Sequence, residues 1–199
     1  FIAVQLQDLL WPLFLLLGFE HVRIDPGNTA VTPLDFYDYP FTHSLLGAAL
    51  LAAIFGGAYR LFRGDGRSAI VLSLAAFSHW LLDFITHRPD LPLSWWGGTK
   101  FGLELWNSVG ATVALELAMF GFGLSLYIWC TRVKRKPGSY GLGALVLVLL
   151  GIYSANILGP APPGIAAITV AGNAMWLFVL AAWWIDRNRE VRLPQDAGR

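Results

Sequence analysis

The four histidines of this 199-residue chain all fall within its first 87 positions, each with a carboxylate nearby in sequence. His79, Asp83 and His87 recur at i, i+4 and i+8 in the run Ser78-His79-Trp80-Leu81-Leu82-Asp83-Phe84-Ile85-Thr86-His87. On a helix such residues share one face, drifting about 40° and rising about 6 Å per step. An imidazole with a carboxylate one turn away is a common half of a divalent-metal site, because both offer lone pairs and the spacing lets them converge. The other half has a candidate in Thr42-His43-Ser44, preceded by Asp35 and Asp38; Glu20 and Asp25 flank His21, and Asp90 follows His87. As a set, His43, His79 and Asp83 point to metal binding or catalysis, with His87 and Asp38 as further candidates. The competing reading is structural: a neutral His–Asp clasp between helices, with Thr42 capping a helix that begins after Pro40.

The elements that must hold these residues are apolar. The chain is 56% hydrophobic and 14% charged, with a mean hydropathy of +0.56, whereas a soluble domain carries roughly 25% charge. A soluble body of this size is mostly surface and cannot hide that much apolar area. The expected fold is therefore all-α, a polytopic membrane bundle of about six helices, each near the ~20 residues that cross the hydrocarbon. The apolar segments are 3–20, 42–62, 68–87, 105–130, 140–158 and 165–185. The first contains Gln5, Gln7, Asp8 and Pro12, so it enters obliquely or packs its polar groups against other helices. Residues 1–190 read as one transmembrane domain and 191–199 as a polar tail.

Charge orients the bundle. Arg60, Arg63 and Arg67, then Arg132, Lys134, Arg135 and Lys136, then Arg187, Arg189 and Arg192 fall on one side if all six segments cross. The positive-inside rule makes that side cytoplasmic, with both termini on it and all four histidines at or near the outer face. Arg23, Arg88 and Lys100 are the outer cations, open to a phosphate or to ordinary salt bridges. Two stripes of small residues, Ala48-Ala52-Gly56 and Ala49-Ala53-Gly57, allow close helix approach. The nine Trp and six Tyr suit the membrane–water interface.

Other classes are excluded or unsupported. A net charge of +1 gives no basic field for nucleic acid. The lone Cys130 allows neither an internal disulfide nor a cysteine-based metal site. The first apolar stretch lacks the basic leader and small-residue cleavage site of a signal peptide.

Thr42-His43-Ser44-Leu45-Leu46 followed by His79-x-x-x-Asp83-x-x-Thr86 resembles the YdjM-like family of bacterial inner-membrane proteins. The family pattern reads His-Arg-Gly-x-Thr-His-Ser, then His-x-Leu-Leu-Asp-x-x-Thr, and both halves match in order and spacing over residues 38–87. Asp38-Tyr39-Pro40 stands where the family has His-Arg-Gly, and Glu20-His21-Val22-Arg23-Ile24-Asp25-Pro26 corresponds loosely to an early acidic motif. The resemblance implies a multi-pass protein of the bacterial inner membrane and a metal-dependent hydrolase. It marks His43, His79 and Asp83 as the ligands; the leading reading is then a divalent metal, zinc or manganese, with Asp38 or His87 as fourth ligand or general base, and location near the outer face points to a lipid-like or phosphoester substrate. Two other readings stay open. One is a non-catalytic accessory subunit of a larger membrane complex, contacting a pigment or haem through a histidine. The other is a transporter or channel, against which stands the absence of internal repeat symmetry.

Overall fold

The computed structural model describes residues 1–192. Among the described residues, seven α-helices and three short antiparallel strand pairs form two compact units. Phe1–Ser108 and Pro160–Met175 make the first; Val109–Gly159 and the described chain from Trp176 onward make the second.

In the first unit a 3-10 turn, Ala3–Gln5, leads into helix α1, Leu6–Leu17. Gly18 ends α1 at φ 73°, a left-handed conformation that glycine adopts without a Cβ penalty. Strands β1 (His21–Ile24) and β2 (Leu34–Asp38) form a hairpin in which His21 faces Asp38 and Arg23 faces Asp35. The one-turn helix α2, Pro40–His43, starts on a proline that fits the first helical position. Ser44 is extended and its hydroxyl accepts from Gly47 N at 2.9 Å, capping helix α3, Leu45–Arg63. Ser44 thus does the capping that the structural reading of the sequence gives to Thr42, and the Thr42 side chain turns elsewhere.

Gly64, at φ 74°, closes α3, and Asp65 caps helix α4, Gly66–Thr86, by accepting from Arg67 N at 3.0 Å. The two helices pack through one of the two small-residue stripes. Ala48, Ala52 and Gly56 are buried, while Ala49, Ala53 and Gly57 are exposed. A Cβ on Gly56 would overlap Ser73 Oγ and sit 2.7 Å from the Ala69 carbonyl, whereas one on Gly57 would meet nothing within 4 Å. Strands β3 (Leu91–Pro92) and β4 (Lys100–Phe101) and a 3-10 turn, Leu105–Asn107, complete this stretch.

The second unit contains α5 (Val109–Cys130), β5 (Thr131–Val133), α6 (Pro137–Leu158), the later part of α7 (Ile165–Arg187) and β6 (Arg189–Val191). β5 and β6 pair in register Thr131↔Val191. β6 therefore reaches Val191, where the expected tail begins, and 193–199 lie outside the described residues.

Five of the described helices, α3 to α7, are long and apolar enough to cross a membrane. No residue in the best apolar window of α6 is fully buried, and its Leu147 and Val148 are exposed, as suits a lipid surround. The sequence expects about six crossings; α1 has 12 residues, about 18 Å of helix against about 30 Å of hydrocarbon. It begins level with the middle of α4, where Gln7 Nε2 donates to the Ala76 carbonyl at 2.9 Å. The polar residues that weaken the first segment as a crossing helix are thus the ones that dock it.

Candidate metal centre

Three elements deliver four side chains to one point. Asp8 comes from the first turn of α1, His43 ends α2, and His79 and Asp83 lie one turn apart on α4. Asp8 Oδ1 is 3.4 Å from His43 Nε2 and 3.5 Å from His79 Nε2. Asp83 Oδ2 is 3.4 Å from His79 Nε2 and 3.8 Å from His43 Nε2. His79 lies about 10 Å below the end of α4 that carries Thr86.

The hydrogen bonds around the cluster fix where its protons are. Glu20 is buried and accepts from Phe41 N at 2.7 Å, Thr42 N at 2.8 Å and Thr42 Oγ1 at 2.7 Å. Burial raises the Glu20 carboxyl above its ordinary range, and the bonds from Thr42 and Phe41 pull it back. Thr42 has one hydroxyl proton, and it goes to Glu20. Its oxygen, 2.7 Å from His43 Nδ1, must then accept from that nitrogen. On the other side, His79 Nδ1 lies 2.9 Å from the Val4 carbonyl, which can only accept. Both Nδ1 atoms therefore carry hydrogens, and in the neutral ring both Nε2 atoms present lone pairs to the centre. Trp80 Nε1 fixes the His43 backbone by donating to its carbonyl at 3.0 Å.

With both rings neutral, two imidazole lone pairs and two carboxylates converge. His79 Nε2 and Asp83 Oδ2 are buried and have no hydrogen-bond partner. The clasp reading requires hydrogen bonds of about 2.7–3.2 Å between members, and all four separations are longer. Ligands 2.0–2.1 Å from a tetrahedral ion lie roughly 3.3–3.4 Å apart. Asp8, His43 and His79 each offer one ligand atom within 4.8 Å of the others, so these residues fit a metal ion. The Asp8 side chain is 39% exposed, against 6% for His43, 10% for His79 and 14% for Asp83. The cluster is therefore open on the Asp8 side.

The other residues singled out in the sequence lie elsewhere. Asp38 pairs with His21 Nδ1 at 2.8 Å on the exposed hairpin. His87 is buried, with Nδ1 3.0 Å from Asp90 Oδ1 and its ring 4.2 Å from Trp106. Tyr39 stands between His87 and the cluster: its hydroxyl donates to Asp90 Oδ1 at 2.7 Å, and its ring is 5.1 Å from that of His43. Burial, reinforced by Asp90, pushes the Tyr39 hydroxyl well above its ordinary range, so it stays a donor. The outer cations are all engaged: Arg23 with Asp35, Arg88 with Asp35 and Asp90, and Lys100 with the Tyr37 carbonyl at 2.8 Å.

Sequence reasoning brings His43, His79 and Asp83 together but misses Asp8. The signal was an ionisable residue inside an apolar segment, which marks function by default. It missed the Glu20–Thr42–His43 chain as well, since nothing in the sequence ties Glu20 to a threonine 22 positions on.

Comparison of the chain with curated proteins and with solved structures finds no match. The model of the YdjM inner membrane protein family matches residues 24–161, which include His43, His79 and Asp83 and extend well beyond the 38–87 stretch that carries the motifs. With five helices long enough to cross the bilayer, the chain belongs to the YdjM inner membrane protein family and is a multi-pass protein of the inner membrane.

Proposed function

We propose that the protein is a membrane-embedded, metal-dependent hydrolase acting on a lipid or lipid-linked ester or phosphoester. The observation that carries this reading is the group of Asp8, His43 and His79, whose ligand atoms lie within 4.8 Å of one another, with Asp83 Oδ2 3.4 Å from His79 Nε2 and both of those last two atoms lacking a hydrogen-bond partner. Like partial charges gathered in a dry site are costly unless a cation lies among them. Two imidazoles and two carboxylates suit zinc or manganese.

His43, His79 and Asp83 would hold the ion, with Asp8 completing the set. A divalent ion bound there supplies Lewis-acid activation of water toward an ester or phosphoester. Thr42 and Val4 keep both imidazoles in the tautomer that presents Nε2. Asp8, on the open side, is placed to take up a proton from an entering water, the task that the sequence reading gives to Asp38 or His87. Tyr39, fixed by Asp90, walls the site beside His43. The substrate class follows from location, about 10 Å inside the end of α4.

The test is elemental analysis of detergent-purified protein. We expect about one equivalent of a transition metal in the wild type, and its loss in both Asp8→Asn and the His79→Ala/Asp83→Ala double variant. Metal retained by the double variant refutes the ligand assignment. A wild type that takes up neither zinc nor manganese refutes the hydrolase reading and favours an accessory subunit whose histidines clasp helices.

A further inference from the structure

A second polar site lies in the other unit, where α7 ends against the α5–α6 connection. Lys134 N and Arg135 N both donate to the Asn188 carbonyl, at 3.0 and 3.1 Å, and β5 pairs with β6 alongside. Two basic residues of this region are satisfied within the fold. Arg132 pairs with Glu190 at 2.8 Å. Arg189 is buried, donates to Thr131 Oγ1 at 2.9 Å and lies over the Tyr127 ring. Asp186, the carboxylate next to Arg187, accepts from the Tyr127 hydroxyl at 3.2 Å.

Lys134, Arg135 and Arg187 are different. Among the described residues none of them has a carboxylate partner, and with Trp183, Trp184 and Asn188 they line one open cavity of about 450 Å³. The Arg187 guanidinium lies 5.0 Å from the Trp183 ring centroid, which fixes its position. Trp184 packs on α6 at Gly141, where a Cβ would come within 2.7 Å of the indole. Three cations held around one cavity repel one another, and an anion between them removes that cost. Two half-exposed Trp rings at the end of a membrane-crossing helix mark the depth of lipid headgroups. Basic pockets between such helices suit a headgroup phosphate, which the arginine fork meets through two oxygens.

We propose that this cavity binds the headgroup of an anionic phospholipid, with Lys134, Arg135 and Arg187 around the phosphate and Trp183 and Trp184 against the glycerol and upper acyl chains. The site is independent of the metal cluster.

The test is native mass spectrometry of the full chain, delipidated in mild detergent and titrated with phosphatidylglycerol, phosphatidylcholine or inorganic phosphate. We expect saturable binding of one phosphatidylglycerol, at least tenfold tighter than phosphatidylcholine and not displaced by millimolar phosphate. Lys134→Gln/Arg135→Gln/Arg187→Gln should lose that preference. Trp184→Leu, which alters no charge and so no topology signal, should weaken binding several-fold. Arg60→Gln/Arg63→Gln, which removes two cations that do not line this cavity, should bind as wild type. Equal affinity for the two lipids, undiminished binding by the triple variant, or equal loss in the Arg60/Arg63 control overturns the proposal. Displacement by phosphate alone assigns the cavity to free phosphate and overturns the lipid assignment.

Discussion

Thr42 has one proton to give, and where it goes decides what His43 can do. The proton goes to Glu20 at 2.7 Å, so the hydroxyl oxygen accepts from His43 Nδ1 and the Nε2 lone pair faces the cluster. Partners of this kind, one step behind the ligands, typically carry 10–100-fold in metal affinity. We expect Thr42→Val, close in shape but without the hydroxyl, to weaken metal binding by about that factor, and Thr42→Ser to restore most of it; chelator competition measures both. Wild-type affinity in the valine variant would show that the hydroxyl does not set the tautomer. This chain of contacts marks the limit of legibility at the residue scale. His79 and Asp83 are readable because helical spacing alone places them together. Asp8 announces itself as a charge in an apolar run, but its partner cannot be read from sequence. Glu20 and Thr42 meet only because the β1–β2 hairpin folds the intervening chain back, and short strands flanked by polar loop leave little periodic signal.

The α3–α4 hairpin is the element that carries the site, since α4 bears two of the four cluster residues and Ser44, beside His43, starts α3. Its interface uses one small-residue stripe. The sequence offers two equivalent ones, and composition cannot choose between them because the choice depends on which face the neighbouring helix takes. Gly56 sits where any Cβ meets Ser73 and the Ala69 backbone, while Gly57 has open space. We expect Gly56→Leu to destabilise the protein by about 1–3 kcal/mol through overpacking, and Gly57→Leu to stay within about 0.5 kcal/mol of wild type. Thermal unfolding of the two variants in the same detergent checks this; equal midpoints would mean that α3 and α4 do not pack as described. The crossing helices themselves were legible within a few residues because hydrocarbon thickness sets a minimum apolar length. Their ends were less so. The fourth apolar segment starts at 105 by composition, yet Glu104 takes a left-handed conformation, φ 61°, and Leu105–Asn107 form a 3-10 turn, so α5 begins only at Val109.

For the whole molecule, apolar composition dictates a membrane environment, and the basic clusters are the basis of the orientation we propose. The turn joining α3 and α4 carries Arg60, Arg63 and Arg67, whereas the opposite end of α4 leads to the loop of Trp95, Trp96 and Lys100. By the positive-inside rule we propose that the first is cytoplasmic and the second periplasmic, which would put the candidate metal cluster closer to the second. Hydrolysis at that depth would reach lipids of the outer leaflet of the inner membrane, while the cationic cavity at the end of α7 would face anionic lipid on the cytoplasmic side. This arrangement is testable within a single helical hairpin. In a Cys130→Ser background, Arg67→Cys lies at the start of α4 and Thr99→Cys in the loop that follows its other end, both at exposed positions. We expect a membrane-impermeant maleimide to label Thr99→Cys in intact spheroplasts and Arg67→Cys only after permeabilisation. The reverse pattern would put the metal cluster near the cytoplasm and make its substrate a cytoplasmic-leaflet lipid. Equal labelling of both in intact spheroplasts would mean that α4 does not cross, and the reading of the whole chain as a bundle around a membrane-embedded site would fall with it.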